Sequence, residues 1–376
     1  MDSLDDVIRR YSADAYVAFG SSQNADIRYL TRFRTEDPFV YIKKPGEKGF
    51  MVIGQMEYER AMRESVAGVM TRGESGLLDI IKEEPVKNRA YAKMIANHAG
   101  PCILVPASFP YGIGHELESL CEVKLDPGSV ETARAIKSEE EINMIRSVQA
   151  ATDIAMERAI SLIKASRPVN GVLYHDDQPV TSEQVRSLIH KTLMDYGCHA
   201  IDTIVTCGKD TALPHALGSG PLFESEPIVI DTFPADDMSG YFTDMTRTVV
   251  RGEPSSALHE MYAAVREAQD LGVSLVRTGA SGAAVHQAVV DLFAEKGYGT
   301  NNSGFTHNLG HGVGLEVHEQ PTLGPAGGVL AAGNVVTIEP GLYYRDIGGV
   351  RLENTGAVTS TGFDSFTRYP REFILG

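Results

Sequence analysis

Two histidines four residues apart, His307 and His311, stand among Gly310, Gly312 and Gly314, and His318 follows in the same stretch. Glycines at that density bar a stable helix and let backbone approach other groups closely. The pair is therefore not the helical zinc motif, whose two histidines share one helical face. The stretch reads as a loop or extended rim that carries imidazoles toward partners elsewhere in the chain. Four acids supply those partners. Asp231 ends the apolar run Pro227-Ile-Val-Ile, Glu339 ends Val335-Val-Thr-Ile, and Glu353 ends Gly349-Val-Arg-Leu. Asp244 is read in the middle of a strand over residues 241–250, among β-branched neighbours that make an acid an exception to strand preference. Such local exceptions concentrate at functional sites. A carboxylate alone at a strand end is usually solvated or caps a turn, and Asp236 and Asp237 keep that reading. Four ionised carboxylates brought together repel one another unless cations sit among them. Two divalent ions would neutralise them one for one. Oxygen-rich ligation with one imidazole suits Mn2+, Co2+, Fe2+ or Zn2+ and does not suit a structural zinc–thiolate site. Two such ions roughly 3.5–4 Å apart form a hydrolytic clamp.

The elements that must position these residues follow from pattern and composition. A chain of 376 residues exceeds the usual growth of one hydrophobic core, so two domains are expected. With 43% hydrophobic and 22% charged residues, it is a globular chain rather than a disordered one. A formal net charge of −16 disfavours binding to nucleic acid or to acidic membrane. Four cysteines, none in a C-x-x-C, are too few for a disulfide framework and read as reduced, buried small residues. The acidic N-terminus lacks the order of a signal peptide, and no run approaches the roughly 18 apolar residues of a spanning helix. A cytoplasmic location is expected.

Residues 1–125 alternate strand-like runs (15–20, 49–54, 102–106) with helix-like pieces (57–65, 115–120), as in a smaller α/β domain. No catalytic constellation falls there; support, oligomer contacts or a wall of the substrate cleft is the expected role. Residues 126–137 form a linker, opened by the turn Asp126-Pro127-Gly128. The domain over 138–376 begins with a capping box, Ser138 to Glu141, and a helix to about residue 164 whose apolar positions recur at helical spacing. A loop with Asn170-Gly171 and Asp176-Asp177 follows. Thr181-x-x-Gln184 caps another helix, and helices are expected over 255–276 and 281–296. Strands are expected over 201–207, 227–233, 241–250, 335–339 and 349–358. The C-terminal part reads as α+β, a mainly antiparallel sheet covered by helices.

Taken in order, Ile-Asp231 … Gly240-Tyr241 … Asp244-Met-Thr-Arg-Thr248, then His307-x-x-Gly-His311-Gly-Val-Gly-Leu-Glu-Val-His318-Glu, Glu339-Pro-Gly and Gly-Val-Arg-Leu-Glu353 resemble the creatinase-fold, or "pita-bread", metallopeptidases. That family holds methionine aminopeptidases, aminopeptidase P and Xaa-Pro dipeptidases (prolidases). The resemblance runs from about Glu131 to the C-terminus. More loosely, Asn24-Ala-Asp-Ile-Arg-Tyr-Leu-Thr resembles the N-terminal domain of the proline-specific members. It implies a first metal bound by Asp231, Asp244 and Glu353, and a second bound by Asp244, His311, Glu339 and Glu353. A water or hydroxide bridging the ions is then the nucleophile, and Glu339 takes its proton. His318 matches the histidine that steadies the carbonyl or the tetrahedral intermediate, and His215 one that lines the substrate side. His307 and Arg351 look like groups that orient ligands, with an ion pair to an acid the plainer reading of Arg351. The remaining seven histidines match nothing in the motifs. The expected cofactors are two divalent ions, Mn2+ or Co2+ ahead of Zn2+ or Fe2+. The expected partners are proline-containing peptides or dipeptides, with no nucleic acid and no membrane, and the expected assembly is a homodimer.

Departures from the family pattern bear on specificity. Asp231-Thr-Phe-Pro replaces a frequent Asp-x-Gly, and Asn354 stands where an aspartate is frequent. His318-Glu-Gln-Pro-Thr322 lacks the arginine that in prolidases gathers the dipeptide carboxylate. Dipeptidase and aminopeptidase-P activities therefore both stay open. The alternative of another class is a non-catalytic peptide- or protein-binding module on the same fold; its members generally lose ligands, and all five positions are filled here.

Overall fold

The computed structural model describes residues 4–376, so residues 1–3 of the acidic N-terminal stretch lie outside the described residues. The chain forms two compact units, Met1–Arg134 and Ala135–Gly376.

The first unit is built on a six-stranded mixed sheet with the spatial order Gly68–Thr71, Phe50–Ile53, Phe39–Lys43, Ala15–Gly20, Cys102–Val105, Glu122–Leu125. Alternate residues of Ala15–Gly20 face opposite layers. Ala15 and Val17 pack with Met94 and Ile95 of the helix Lys87–Ala99. Tyr16 and Ala18 pack with Ile8, Ile27 and Ala61 from the other side. A sheet covered on both faces has continuous apolar strands rather than alternating ones. Phe39–Lys43, buried along nearly its whole length, and the short edge strand Gly68–Thr71 are not among the strands expected from the sequence. The helix expected over 115–120 instead spans Tyr111–Leu117.

In the second unit the capping box forms as expected. Ser138 Oγ accepts from the Glu141 N–H, and the Glu141 carboxylate accepts from the Ser138 N–H at 2.7 Å. The helix Glu139–Ala165 buries Ile142, Ile145, Val148, Ala155, Ala159 and Ile163. Thr181 and Gln184 cap Ser182–Asp195 in the same way. The loop expected after residue 165 is instead a meander of Arg167–Val169, Val172–His175 and Gln178–Pro179. Its two tight turns put Asn170-Gly171 and Asp176-Asp177 at positive φ, as two-residue hairpins favour.

Two sheets carry the second unit. One orders Ile204–Cys207, Pro227–Thr232, Met245–Arg251 and Ile374–Leu375; it packs on Glu139–Ala165 and Ser182–Asp195 through Val205, Ile228, Ile230 and Val249. The other orders Glu319–Leu323, Gly310–Gly312, Val335–Ile338, Asn354–Val358 and Phe363–Ser365. Its Leu323, Val336 and Ile338 pack on Ser256–Leu275 and Gly282–Glu295. Gly272 permits the closest approach: a Cβ there would meet Ile338 Cγ2 at 2.9 Å. Helix-interior glycine costs about 0.5–1 kcal/mol, which close packing on the central strand Val335–Ile338 offsets. The ladders are antiparallel except where Met245–Arg251 meets Ile374–Leu375.

Two expected strands are corrected, and both corrections fall on acids. The strand read over 241–250 begins only at Met245, so Asp244 stands just before it. Its backbone leaves the ladder because the Thr355 hydroxyl donates to the Asp244 carbonyl at 2.8 Å. The strand read over 349–358 breaks at Leu352-Glu353 into Gly348–Arg351 and Asn354–Val358, which belong to different sheets. Among the described residues no helix is long and apolar enough to cross a membrane, and the four cysteines are free.

Candidate metal centre

Asp231 lies one residue from the end of Pro227–Thr232 and pairs in register with Thr246 of the neighbouring strand. The Thr246 hydroxyl donates to Glu353 Oε2 at 2.8 Å, and the Glu353 N–H donates to the Thr246 carbonyl at 3.1 Å. From the second sheet, His311 Nε2 lies 3.3 Å from Glu339 Oε1 and 3.8 Å from Asp244 Oδ2. One ligand atom from each of Asp244, His311 and Glu353 lies within 4.8 Å of the others. The structure thus brings all five residues read from the motifs to one place. Gly310 and Gly312 make this possible, since a Cβ on either would collide with the carbonyl of Thr337 or of Gln320.

The donor atoms are prepared for a cation. His311 Nδ1 faces the Gly312 carbonyl at 3.1 Å, which holds that nitrogen as the donor and turns Nε2 toward the acids. Asp231 Oδ1, Asp244 Oδ1 and Glu353 Oε1 are buried with no hydrogen-bond partner. A buried carboxylate oxygen left so costs the full desolvation of that atom. Three of them on one set of acids fit a divalent ion that supplies the missing contacts.

Electrostatics point the same way. Burial, then the charges of Glu353, Asp231 and Glu339, push Asp244 well above the usual carboxylate range. Burial, then Glu339 and Asp231, lift Glu353 to about 8. Glu339 goes the other way: burial opposes its ionisation, but the hydrogen bond and charge of His311 hold it down to about 2. His311 answers in kind, rising to about 9 against its own burial. Four acids share one imidazolium and one guanidinium, and that is too little positive charge to ionise them all.

The guanidinium is Arg351. Its Nη2 donates to Asp231 Oδ2 at 2.6 Å, its Nη1 to Tyr343 Oη at 2.8 Å, and its Nε to Thr246 Oγ1 at 3.1 Å. The ion pair read for this residue is formed with an acid 120 positions away. Tyr343 Oη continues to His307 Nε2 at 3.0 Å, and His307 Nδ1 faces the Asn308 carbonyl at 2.7 Å. His307 is thereby fixed, and burial holds its pKa below the usual value. His318 stands exposed at the rim, its ring centroid 4.2 Å from that of His311. His215 is exposed too, and close enough for its charge to act on both His307 and His318. Pattern reading missed Tyr343, Thr246 and Arg247. The last is fully buried and donates to the Glu353 and Thr246 carbonyls at 2.6 and 2.8 Å. Thr246 and Arg247 sit inside the motif that begins at Asp244, which was the available signal; Tyr343 had none.

The model of metallopeptidase family M24 matches residues 143–360. The uncharacterized peptidase YqhT of Bacillus subtilis is 36% identical over 248 residues, 66% of each chain. A Xaa-Pro dipeptidase of Pyrococcus horikoshii is 32% identical over 340 residues, 89% of this chain and 88% of its own. The crystal structure of the prolidase from Pyrococcus horikoshii superposes with a TM-score of 0.83 at 29% identity, covering 98% of both chains, and the pita-bread fold is common to the two.

Proposed function

This chain belongs to metallopeptidase family M24, and from that premise we propose that it is a Xaa-Pro peptidase, hydrolysing the bond before proline with two divalent cations. The observation that carries the proposal is the grouping of Asp244, His311 and Glu353 ligand atoms within 4.8 Å of one another, beside buried carboxylate oxygens on Asp231, Asp244 and Glu353 that have no hydrogen-bond partner. Asp231, Asp244 and Glu353 would hold one ion, and Asp244, His311, Glu339 and Glu353 the other, with Asp244 and Glu353 shared. Carboxylates and a single imidazole, without thiolate, favour Mn2+ or Co2+ over Zn2+ or Fe2+. When bound, the pair of ions acidifies water and polarises the scissile carbonyl.

The chain's own side chains do the rest. Glu339 would accept the proton of the attacking water. Partial burial holds His318 below its usual pKa, which favours the neutral form with an N–H to donate. From the rim it donates to the carbonyl oxygen as negative charge grows there. His215 lines the same side. Arg351, Tyr343 and His307 form one hydrogen-bonded line that keeps Asp231 turned toward the centre. Proline at the leaving side offers a tertiary amide with fixed φ and no N–H, a shape that a dedicated pocket can select. The Xaa-Pro dipeptidase relative supports this choice.

The test is a panel of Gly-Pro, Ala-Pro and longer Xaa-Pro-Yaa peptides, assayed with Mn2+, Co2+ and Zn2+. Cleavage confined to the Xaa–Pro bond is expected, and the ratio of dipeptide to longer substrates assigns dipeptidase or aminopeptidase. No cleavage with any metal, at fewer than about one bound ion per chain, would sink the proposal in favour of a binding module.

A further inference from the structure

One ion pair of the second unit lies outside this chemistry yet next to it. Lys137 Nζ and Glu319 Oε1 are 2.5 Å apart, and both side chains are about 1% exposed. Desolvation largely offsets the attraction in such a pair, so it is a weak source of stability; its best-attested use is to fix a register. A register is at stake here. The strand Gly310–Gly312 pairs with Glu319–Leu323 through a shift, Gly310 facing Leu323 and Gly312 facing Glu319. An irregularity of that kind re-aims the side chains around it, and those side chains are His311 and His318. Glu319 folds its carboxylate into the space that a Cβ on Gly314 would need. The Gly314 carbonyl in turn accepts from the Phe242 N–H at 2.7 Å, two residues before Asp244.

Lys137 reaches Glu319 from outside both strands. Its N–H donates to the Gly333 carbonyl at 2.8 Å, and the Ser138–Glu141 capping box follows at once. The segment between His311 and His318 is therefore closed on itself by one buried carboxylate, and that carboxylate is anchored by an ammonium 182 positions away in sequence. We propose that Lys137 is a positioning residue for His318: through Glu319 it holds the 313–318 turn in the one register that sets the His318 ring against His311. Its effect on turnover rests on the peptidase reading of the site; its effect on the His318 ring does not.

Lys137→Met alone removes the ammonium beside a buried carboxylate and endangers folding. The deciding variant is thus Lys137→Met combined with Glu319→Gln, which removes both charges at nearly constant volume. In the full chain loaded with diamagnetic Zn2+, the ring resonances of His318 are read by NMR, beside metal content and thermal midpoint. The expected result is a folded, metal-replete protein whose His318 resonances are broadened or split. Its kcat falls roughly tenfold at unchanged KM, and the loss disappears in a His318→Ala background. Sharp, unshifted His318 resonances overturn the proposal. So does a kcat loss of equal size with and without His318, which would mark the pair as merely structural. If the unaltered protein cleaves no Xaa-Pro peptide, the peptidase reading fails by itself and the resonances alone decide the role of Lys137.

Discussion

In the N-terminal unit the buried Tyr16 is surrounded by charges of both signs: Asp26 and Asp126 act on its hydroxyl, and Arg134 Nη1 lies 2.6 Å from Asp26 Oδ1. In the C-terminal unit four carboxylates face one guanidinium and one imidazole around His311. Both groups contain buried polar atoms without a hydrogen-bond partner, Tyr16 Oη and Asp126 Oδ1 in the first, the three carboxylate oxygens in the second. A partnerless polar atom is thus not by itself the mark of a metal site. In the first group Arg134 balances Asp26, and burial, then Asp26, simply keeps the Tyr16 hydroxyl neutral. The second has an excess of one sign among buried carboxylates. Uncompensated like charge is what calls for a cation.

The comparison can be broken most directly at its two ends. Asp244→Ala removes a carboxylate shared by both proposed ions, and kcat should fall roughly a thousandfold or more with loss of bound metal. Asp26→Ala, on the balanced side, should leave metal content and kcat intact and instead cost roughly 3 kcal/mol in a denaturant titration, because Arg134 stays buried. If Asp244→Ala retains activity, or Asp26→Ala loses metal, the contrast between the groups is wrong. A smaller effect separates catalysis from ligation: His318→Ala should lower kcat about a hundredfold while metal analysis stays unchanged. Smaller again is Arg351→Lys, which cannot hold Asp231 and Tyr343 in one fork and should cost about tenfold in kcat/KM.

The least dramatic test is also the most particular to the acid excess. His311, at about 9, and Glu353, at about 8, both bind protons more tightly folded than unfolded. The stability that Glu353 contributes is complete below the ordinary carboxylate value and is lost as pH rises to about 8, and that of His311 is complete below the ordinary histidine value and is lost as pH rises to about 9. The low value of Glu339, about 2, acts only in strong acid and leaves this window untouched. Chelator-treated protein should therefore melt roughly 5 °C lower at pH 9.5 than at pH 6.5. Protein loaded with Mn2+ should not, since the ion replaces the protons. Equal slopes with and without metal would remove the electrostatic case for the site.

Much of the centre was legible because its grammar is local. Glycines flanking His311, acids closing apolar runs and capping boxes at Ser138 and Thr181 each need only a few neighbouring residues to be recognised. Where local grammar misled, a tertiary contact had overridden it. Residues 349–358 read as one strand, yet Arg247 holds the Glu353 carbonyl and Asn354 Oδ1 at 2.6 and 3.1 Å, and the chain breaks there. In the N-terminal unit Phe39–Lys43 shows no alternation because it is buried on both faces, and the edge strands Gly68–Thr71 and Glu122–Leu125 are only four residues long.

By itself the sequence determined the kinds of donor atom, their order, and the local backbone that presents each one. Those properties follow from side-chain chemistry and from the short periods of helix and strand. Only the tertiary structure decided that Arg351 takes one oxygen of Asp231, that Thr246 takes one of Glu353, and that the second oxygen of each is buried with no hydrogen-bond partner. Such pairings join residues more than a hundred positions apart, and their distances are set by how two sheets pack rather than by any spacing along the chain.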